Sequence, residues 1–211
     1  MKRKYTYCDE LKERHAGLTR QIGAAFAAYK AVPREKYFYE LCFCLMTPQS
    51  SAAHAMAVQE QLERLRFHET DVDPEPLLRQ KEHYVRFHKT KAKRLIGVKE
   101  QFDEAMKMIT GSSSAIEKRE WLAANINGLS FKEATHFLRN IGMNDGLAIL
   151  DIHILRCLTR HNLIAEIPSA LSKKKYYTIE KLFQQFSVAV SIPIDELDLV
   201  FWSGATGFIL K

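Results

Sequence analysis

The sequence predicts an all-α fold, and three observations carry that prediction. Apolar residues recur at helical spacing along several long stretches, no stretch alternates with the period of a strand, and proline and glycine are few and scattered. Ser50 to Leu65 is rich in Ala, Gln, Glu and Arg, which form helices readily. Lys91 to Ile109 sets Leu95, Phe102, Met106 and Ile109 on one stripe. Thr178 to Val190 does the same with Ile179, Leu182, Phe183, Phe186 and Val190. Leu41 to Met46 is apolar throughout and reads as part of a buried helix that Thr47-Pro48 ends. Asp71 to Pro76 and Gly111 to Ser114 read as loops, with Ser114 capping the helix that follows. Pro193 suits the first turn of a last helix carrying Leu197, Val200 and Phe201. At ordinary helix and loop lengths the chain accommodates roughly eight to ten helices.

Composition narrows the function classes. A chain of 211 residues holds one sizeable domain or two small packed lobes. Apolar residues make up 46% of it, too many for disorder. Thirty-one Lys and Arg against 25 Asp and Glu leave a net charge of +6, which favours a polyanionic partner, nucleic acid before acidic membrane. The charged opening MKRKYTYCDELKER has no apolar run behind it and does not read as a secretory signal. No run approaches the length of a membrane span, so a soluble cytoplasmic protein is expected. Cys8, Cys42, Cys44 and Cys157 show neither zinc nor iron–sulfur spacing. Cys42 and Cys44 lie in the apolar run and read as small core residues, and no structural metal is expected.

The stretch Asn125 to Leu158 carries the chemistry. Ser130 and Glu133 form an S-x-x-E capping box, so a helix starts at Phe131. Its apolar face is Phe131, Ala134, Phe137, Leu138 and Ile141, and Gly142 ends it. Asn127-Gly128-Leu129 is a tight turn with another helix leading in from about Ser114. Helix, glycine turn, helix is a device that offers backbone N–H groups to a DNA phosphate without reading sequence. Lys132 falls in the first turn of the second helix. A cation there is mildly unfavourable, and the local field favours the neutral amine that a nucleophilic lysine needs. Asp151, in LAILDIHIL, reads as the N-cap of a further helix, an ionised carboxylate expected to face the same cleft as Lys132.

Gly128-Leu129-Ser130-Phe131-Lys132 resembles the L-P-G-x-G-x-K hairpin of the helix-hairpin-helix DNA glycosylase superfamily, and Leu150-Asp151-Ile152-His153 resembles its V-D-x-H motif. Asn127 stands where that pattern has proline, and Ser130 replaces its second glycine. Within the superfamily the chain most resembles the short 8-oxoguanine glycosylases/lyases of archaea and some bacteria. Residues 38–52, 85–96, 125–142 and 197–211 carry this likeness. The resemblance implies two helical lobes with a central cleft, a helix-hairpin-helix over about 115–142, and one glycosylase unit over 1–211. It implies excision of 8-oxoguanine from double-stranded DNA, Schiff-base chemistry on Lys132, charge stabilisation by Asp151, and no cofactor or metal. It also implies a monomer in a prokaryotic cytoplasm.

Further site residues follow partly from the resemblance and partly from chemistry. The resemblance makes Phe87 and Trp202 the faces that sandwich an extruded base; packing in the core is their alternative. Gln49, after the Thr47-Pro48 break, could fill the space the base leaves, or could cap a helix. Arg86, Lys89, Lys91, Lys93 and Arg94 form a basic segment around Phe87, either a phosphate-contacting surface or a solvated helix face. Gly128 and Ser130 would meet the DNA backbone at the hairpin. His136 reads as packing rather than a ligand, and His153 as an aid to positioning. The resemblance brings the carboxylate of Lys211, which ends the sequence, to the base pocket, where it would accept from N1–H and N2–H of the base. Rival readings are a glycosylase of the same fold for another lesion, such as an oxidised pyrimidine, and a hairpin module that only binds DNA. The latter needs neither Lys132 nor Asp151.

Overall fold

The computed structural model describes residues 5–207 and 209. Among them are ten α-helices, one short 3-10 turn at Arg34–Lys36 and no strand, as the periodicity predicts. In order the helices are α1 (Cys8–Lys30), α2 (Tyr37–Met46), α3 (Ala52–Arg64), α4 (Glu75–Leu78), α5 (His88–Thr110), α6 (Ala115–Asn125), α7 (Phe131–Asn140), α8 (Ile152–Arg160), α9 (Lys173–Val190) and α10 (Ile194–Thr206). They fall into two compact units. Val32–Ile141 form the middle-segment unit, and residues up to Ala31 join those from Gly142 onward in the end-segment unit.

The middle-segment unit is organised by α2, in which every residue from Tyr37 to Met46 is buried. A helix without a polar face must be covered on all sides, and α3, α5 and α7 supply that cover. Its one charged residue, Glu40, accepts hydrogen bonds from Gln59 Nε2 at 3.0 Å and Asn140 Nδ2 at 3.1 Å. Burial pushes the Cys42 and Cys44 thiols well up, in keeping with their place in the core. Ser51 caps α3, and Ser114 with Glu117 forms a reciprocal capping box on α6. The Asp71–Pro76 loop is shorter than its sequence suggests. Asp73 Oδ1 accepts the Glu75 N–H at 2.9 Å and starts α4 inside it.

In the end-segment unit α10 packs against α1, α8 and α9. The helix α1 has no counterpart in the sequence reading. Only Leu11, Ile22 and Tyr29 of it are buried, a stripe thinly spaced among alanine, glycine and charge. α9 begins ahead of its apolar stripe, where Ser172 accepts the Lys175 N–H at 3.3 Å. Pro193 stands at the N-cap of α10 rather than inside its first turn.

Between α7 and α8 the buried run Leu147 to Leu150 belongs to no helix or strand, so side chains help to satisfy its backbone. Glu180 accepts the Ala148 N–H at 2.9 Å. The Tyr176 hydroxyl donates to the Ala148 carbonyl at 2.6 Å and accepts the Leu150 N–H at 3.2 Å. This run leads directly into Asp151. Tyr176→Phe should therefore destabilise the protein by about 1–3 kcal/mol, the cost of stranding buried backbone groups, measured by urea unfolding. A loss within error would show that the run does not depend on that hydroxyl.

Candidate functional site

The hairpin predicted around Gly128 is present. α6 ends at Asn125, the Leu129 N–H donates to the Ile126 carbonyl at 3.1 Å, and α7 starts at Phe131. Gly128 has φ +98, which favours glycine, and a Cβ there would lie 2.4 Å from Cδ of Arg94, so that flexible side chain would have to move aside. The Ser130–Glu133 capping box forms: the Glu133 carboxylate accepts the Ser130 N–H at 3.2 Å and the Ser130 hydroxyl.

Lys132 lies in the first turn of α7 and is not a solvated surface lysine. Its side chain is 22% exposed, and Nζ pairs with Glu133 Oε1 at 3.1 Å. Burial pushes the Glu133 carboxyl up, but the Lys132 ammonium and the Ser130 hydroxyl outweigh it and leave Glu133 below the usual carboxylate range. The site therefore sets the Lys132 amine beside a carboxylate that is itself held by Ser130. Sequence reading saw Glu133 only as half of a cap.

Two more predicted residues of this unit sit on strained backbone. Phe87 is the N-cap residue of α5 with φ 59 and ψ 33, and it is 53% exposed, which removes its core-packing alternative. The Arg86 guanidinium lies 5.5 Å from its ring centroid. Gln49 is exposed with φ 55, after Pro48 in a turn closed by the Ser50 N–H on the Thr47 carbonyl at 3.0 Å. Positive φ after a turn proline is a place for glycine. Because Ser51 caps α3, Gln49 is free of the capping role. Arg86 and Lys89 are exposed.

Lys91 corrects the basic-segment reading. It is 2% exposed, and its Nζ donates to the Met46 carbonyl at 2.6 Å, the Pro48 carbonyl at 2.7 Å and Ser50 Oγ at 3.0 Å. The sequence held a signal for this. Lys91 stands four residues before Leu95, on the same buried stripe that continues through Val98 and Phe102.

The remaining predicted residues belong to the end-segment unit. Asp151 caps α8 as expected, Oδ1 accepting the Ile154 N–H at 2.8 Å. Trp202 is half-buried, and its ring meets His153 edge-on with centroids 5.0 Å apart. His136 is packed against Phe43 with centroids 5.6 Å apart. Lys211 lies outside the described residues. A cavity of about 340 Å³ in this unit is lined by Arg14, His153, Arg156 and Arg160 among others, while Asp151 and Trp202 are not among its described lining residues. No group of three or more His, Cys, Asp or Glu among the described residues could hold a metal ion. No described helix is long and apolar enough to cross a membrane.

A family model described as 8-oxoguanine DNA glycosylase, of the helix-hairpin-helix type, matches residues 21–192. The 8-oxoguanine DNA glycosylase/AP lyase of Fusobacterium nucleatum subsp. nucleatum is 38% identical over 179 residues, covering 82% of this chain and 81% of that protein. That of Methanocaldococcus jannaschii is 34% identical over 186 residues, covering 88% of each. The crystal structure of the Thermotoga maritima 8-oxoguanine DNA glycosylase superposes with a TM-score of 0.86 at 28% identity, covering 97% of this chain and 98% of that one. The Methanocaldococcus jannaschii glycosylase/lyase in complex with a 15mer DNA containing 8-oxoguanine gives 0.83 at 31% identity, covering 94% and 98%.

Lys91 also gives the middle-segment unit a titration that stability can report. Burial first, then the nearby charges of Arg94, Lys132 and Arg86, push its ammonium down from 10.5 to about 8. The unfolded chain keeps that proton up to about 10.5, so between the two values the unfolded state binds more protons. The contribution of Lys91 to stability is therefore least favourable below about 8 and improves as pH rises towards 10.5. Urea unfolding across this window should show the wild-type protein gaining on Lys91→Met as pH rises. A difference that stays constant would mean that Lys91 titrates as an ordinary lysine.

Proposed function

The chain belongs to the 8-oxoguanine DNA glycosylase family, and from that membership we propose that Lys132 is its nucleophile and Asp151 the carboxylate that serves it. The activity is that of an 8-oxoguanine DNA glycosylase/AP lyase of base excision repair, with DNA as its partner. The observation that carries the residue assignment is Lys132 itself, a partly buried amine in the first turn after the hairpin glycine. Simple phosphate binding does not need a lysine held in that way.

Water is the one reactant needed besides DNA. The hairpin N–H groups and the exposed Arg86 and Lys89 neutralise backbone phosphates, and the damaged nucleotide is extruded. Lys132 gives up a proton, with Asp151 as acceptor or orienting group, and its free amine attacks C1′. The glycosidic bond breaks, its electron pair leaves with the base, and Asp151 stabilises the positive charge that develops at the sugar. The sugar ring opens to an imine between Nζ and C1′. Loss of a proton from C2′ then expels the 3′ phosphate, and water releases the lysine. Phe87 and Trp202 stack on the extruded base, and Gln49 fills the gap in the helix. One copy of the chain serves one lesion, in the cytoplasm of a prokaryote.

Borohydride reduction should trap a covalent complex with duplex DNA containing 8-oxoguanine but not with oxidised-pyrimidine duplexes. Lys132→Gln should abolish trapping and strand cleavage while leaving duplex affinity within about twofold, since the amine is not the main phosphate contact. Undiminished trapping in that variant would remove Lys132 from the mechanism. Asp151→Asn should slow single-turnover excision by roughly a hundredfold or more and cost about 1 kcal/mol of stability through the weakened cap. Normal turnover would leave Asp151 a capping residue only.

A further inference from the structure

Lys91 is a buried cation that the chemistry above does not use. Among the described residues its Nζ is held by no carboxylate. It is held by two carbonyls and a hydroxyl, all from the segment Met46–Ser50. That segment contains Gln49, and the Pro48 and Ser50 contacts lie on either side of it. The backbone of Lys91 points the other way, its N–H donating to the Phe87 carbonyl at 2.9 Å. Ser50 Oγ completes the connection, accepting both Lys91 Nζ and the backbone N–H of Arg86 at 2.9 Å. One residue thus fastens the turn that carries Gln49 to the turn that carries Phe87.

Both turns need fastening. Gln49 and Phe87 each have the left-handed backbone that glycine adopts freely and other residues resist, at roughly 1–2 kcal/mol each. Such conformations persist where surrounding contacts over-determine them. Both side chains are nevertheless exposed, so burial in the core does not explain the strain.

We propose that Lys91 is a positioning residue for lesion recognition, fixing the Pro48–Ser50 and Arg86–Phe87 turns so that Gln49 and Phe87 face DNA in a preformed arrangement. The inference rests on the reading of Phe87 as a stacking face for the extruded base. Lys91 does not touch DNA in this account. Its effect reaches the base through the two turns, and a lysine that merely stabilised α2 would have no coupling to Phe87 in particular.

A double-mutant cycle separates these cases. Affinity for duplex containing 8-oxoguanine and for the same duplex undamaged is measured for the wild-type protein, Lys91→Met, Phe87→Ala and the double variant, all at a temperature where thermal unfolding shows each folded. Phe87→Ala should lose roughly tenfold of the preference for the lesion, the value of one base–aromatic stack. Lys91→Met should lose a comparable factor, with affinity for undamaged duplex nearly unchanged. The double variant should lose little more than either single one. If Lys91→Met does not fold, Ser50→Ala takes its place in the cycle. It removes the shared hydroxyl alone, and a smaller loss, again not additive with Phe87→Ala, is expected. Full preference in the Lys91 or Ser50 variant, with loss in Phe87→Ala, overturns the positioning role and leaves the stacking reading intact. Additive losses overturn it as well, since the lysine then acts independently of the stack. Full preference in Phe87→Ala overturns the stacking reading on which the proposal stands.

Discussion

Everything in the middle-segment unit follows from the burial of α2 on every side. A helix with no solvent face cannot be stable alone, and each large side chain it buries contributes about 1.5–3 kcal/mol once covered. Covering it recruits α3, α5 and α7, the last of which carries Lys132. The same burial creates a difficulty where α2 stops, because the final carbonyls of a helix have no partner in the next turn. At Met46 the ammonium of Lys91 supplies one. The end of the core helix and the start of the turns proposed to meet DNA are thereby a single hydrogen-bonded feature.

That arrangement suits an enzyme whose substrate must be pulled out of a base stack. Extrusion costs a few kcal/mol before any chemistry begins. A surface that had to order itself at the same time would add its own entropy to that cost. Strain in the folded protein is held in advance at Gln49 and Phe87, against three donor contacts from one buried cation. The proposed nucleophile is treated likewise. Lys132 rests in an ion pair with its sequence neighbour Glu133, whose carboxylate is itself tied to Ser130.

The fold class, the hairpin and the caps at Ser114, Ser130 and Asp151 were legible in the sequence because each is a local pattern. A hydroxyl or carboxylate followed three residues later by the N–H it accepts needs no knowledge of the rest of the chain. α1 was not legible, since three buried residues in a helix from Cys8 to Lys30 make too sparse a stripe to register against alanine and charge. Lys91 was misjudged for the opposite reason. Basic residues flank it on both sides in sequence, and charge dominated a reading in which its position on the Leu95 stripe was the better guide. The short α4 was hidden by the prolines of its loop, which favour a helix's first turn as readily as they favour a turn without one. The glycine at 128 was visible as a turn residue, but the Arg94 side chain laid over that turn comes from an element far away in the chain.

The left-handed residues have an evolutionary consequence. Under selection for thermostability alone, glycine at 49 and asparagine or glycine at 87 would be favoured, because either relieves a backbone that glutamine and phenylalanine tolerate poorly. On the roles proposed for Gln49 and Phe87, each such exchange would erase a side chain that meets DNA. The two positions are therefore places where robustness and lesion discovery pull the sequence in opposite directions. On those proposed roles, a lineage that drifted to glycine at both would exchange lesion discovery for a less strained backbone.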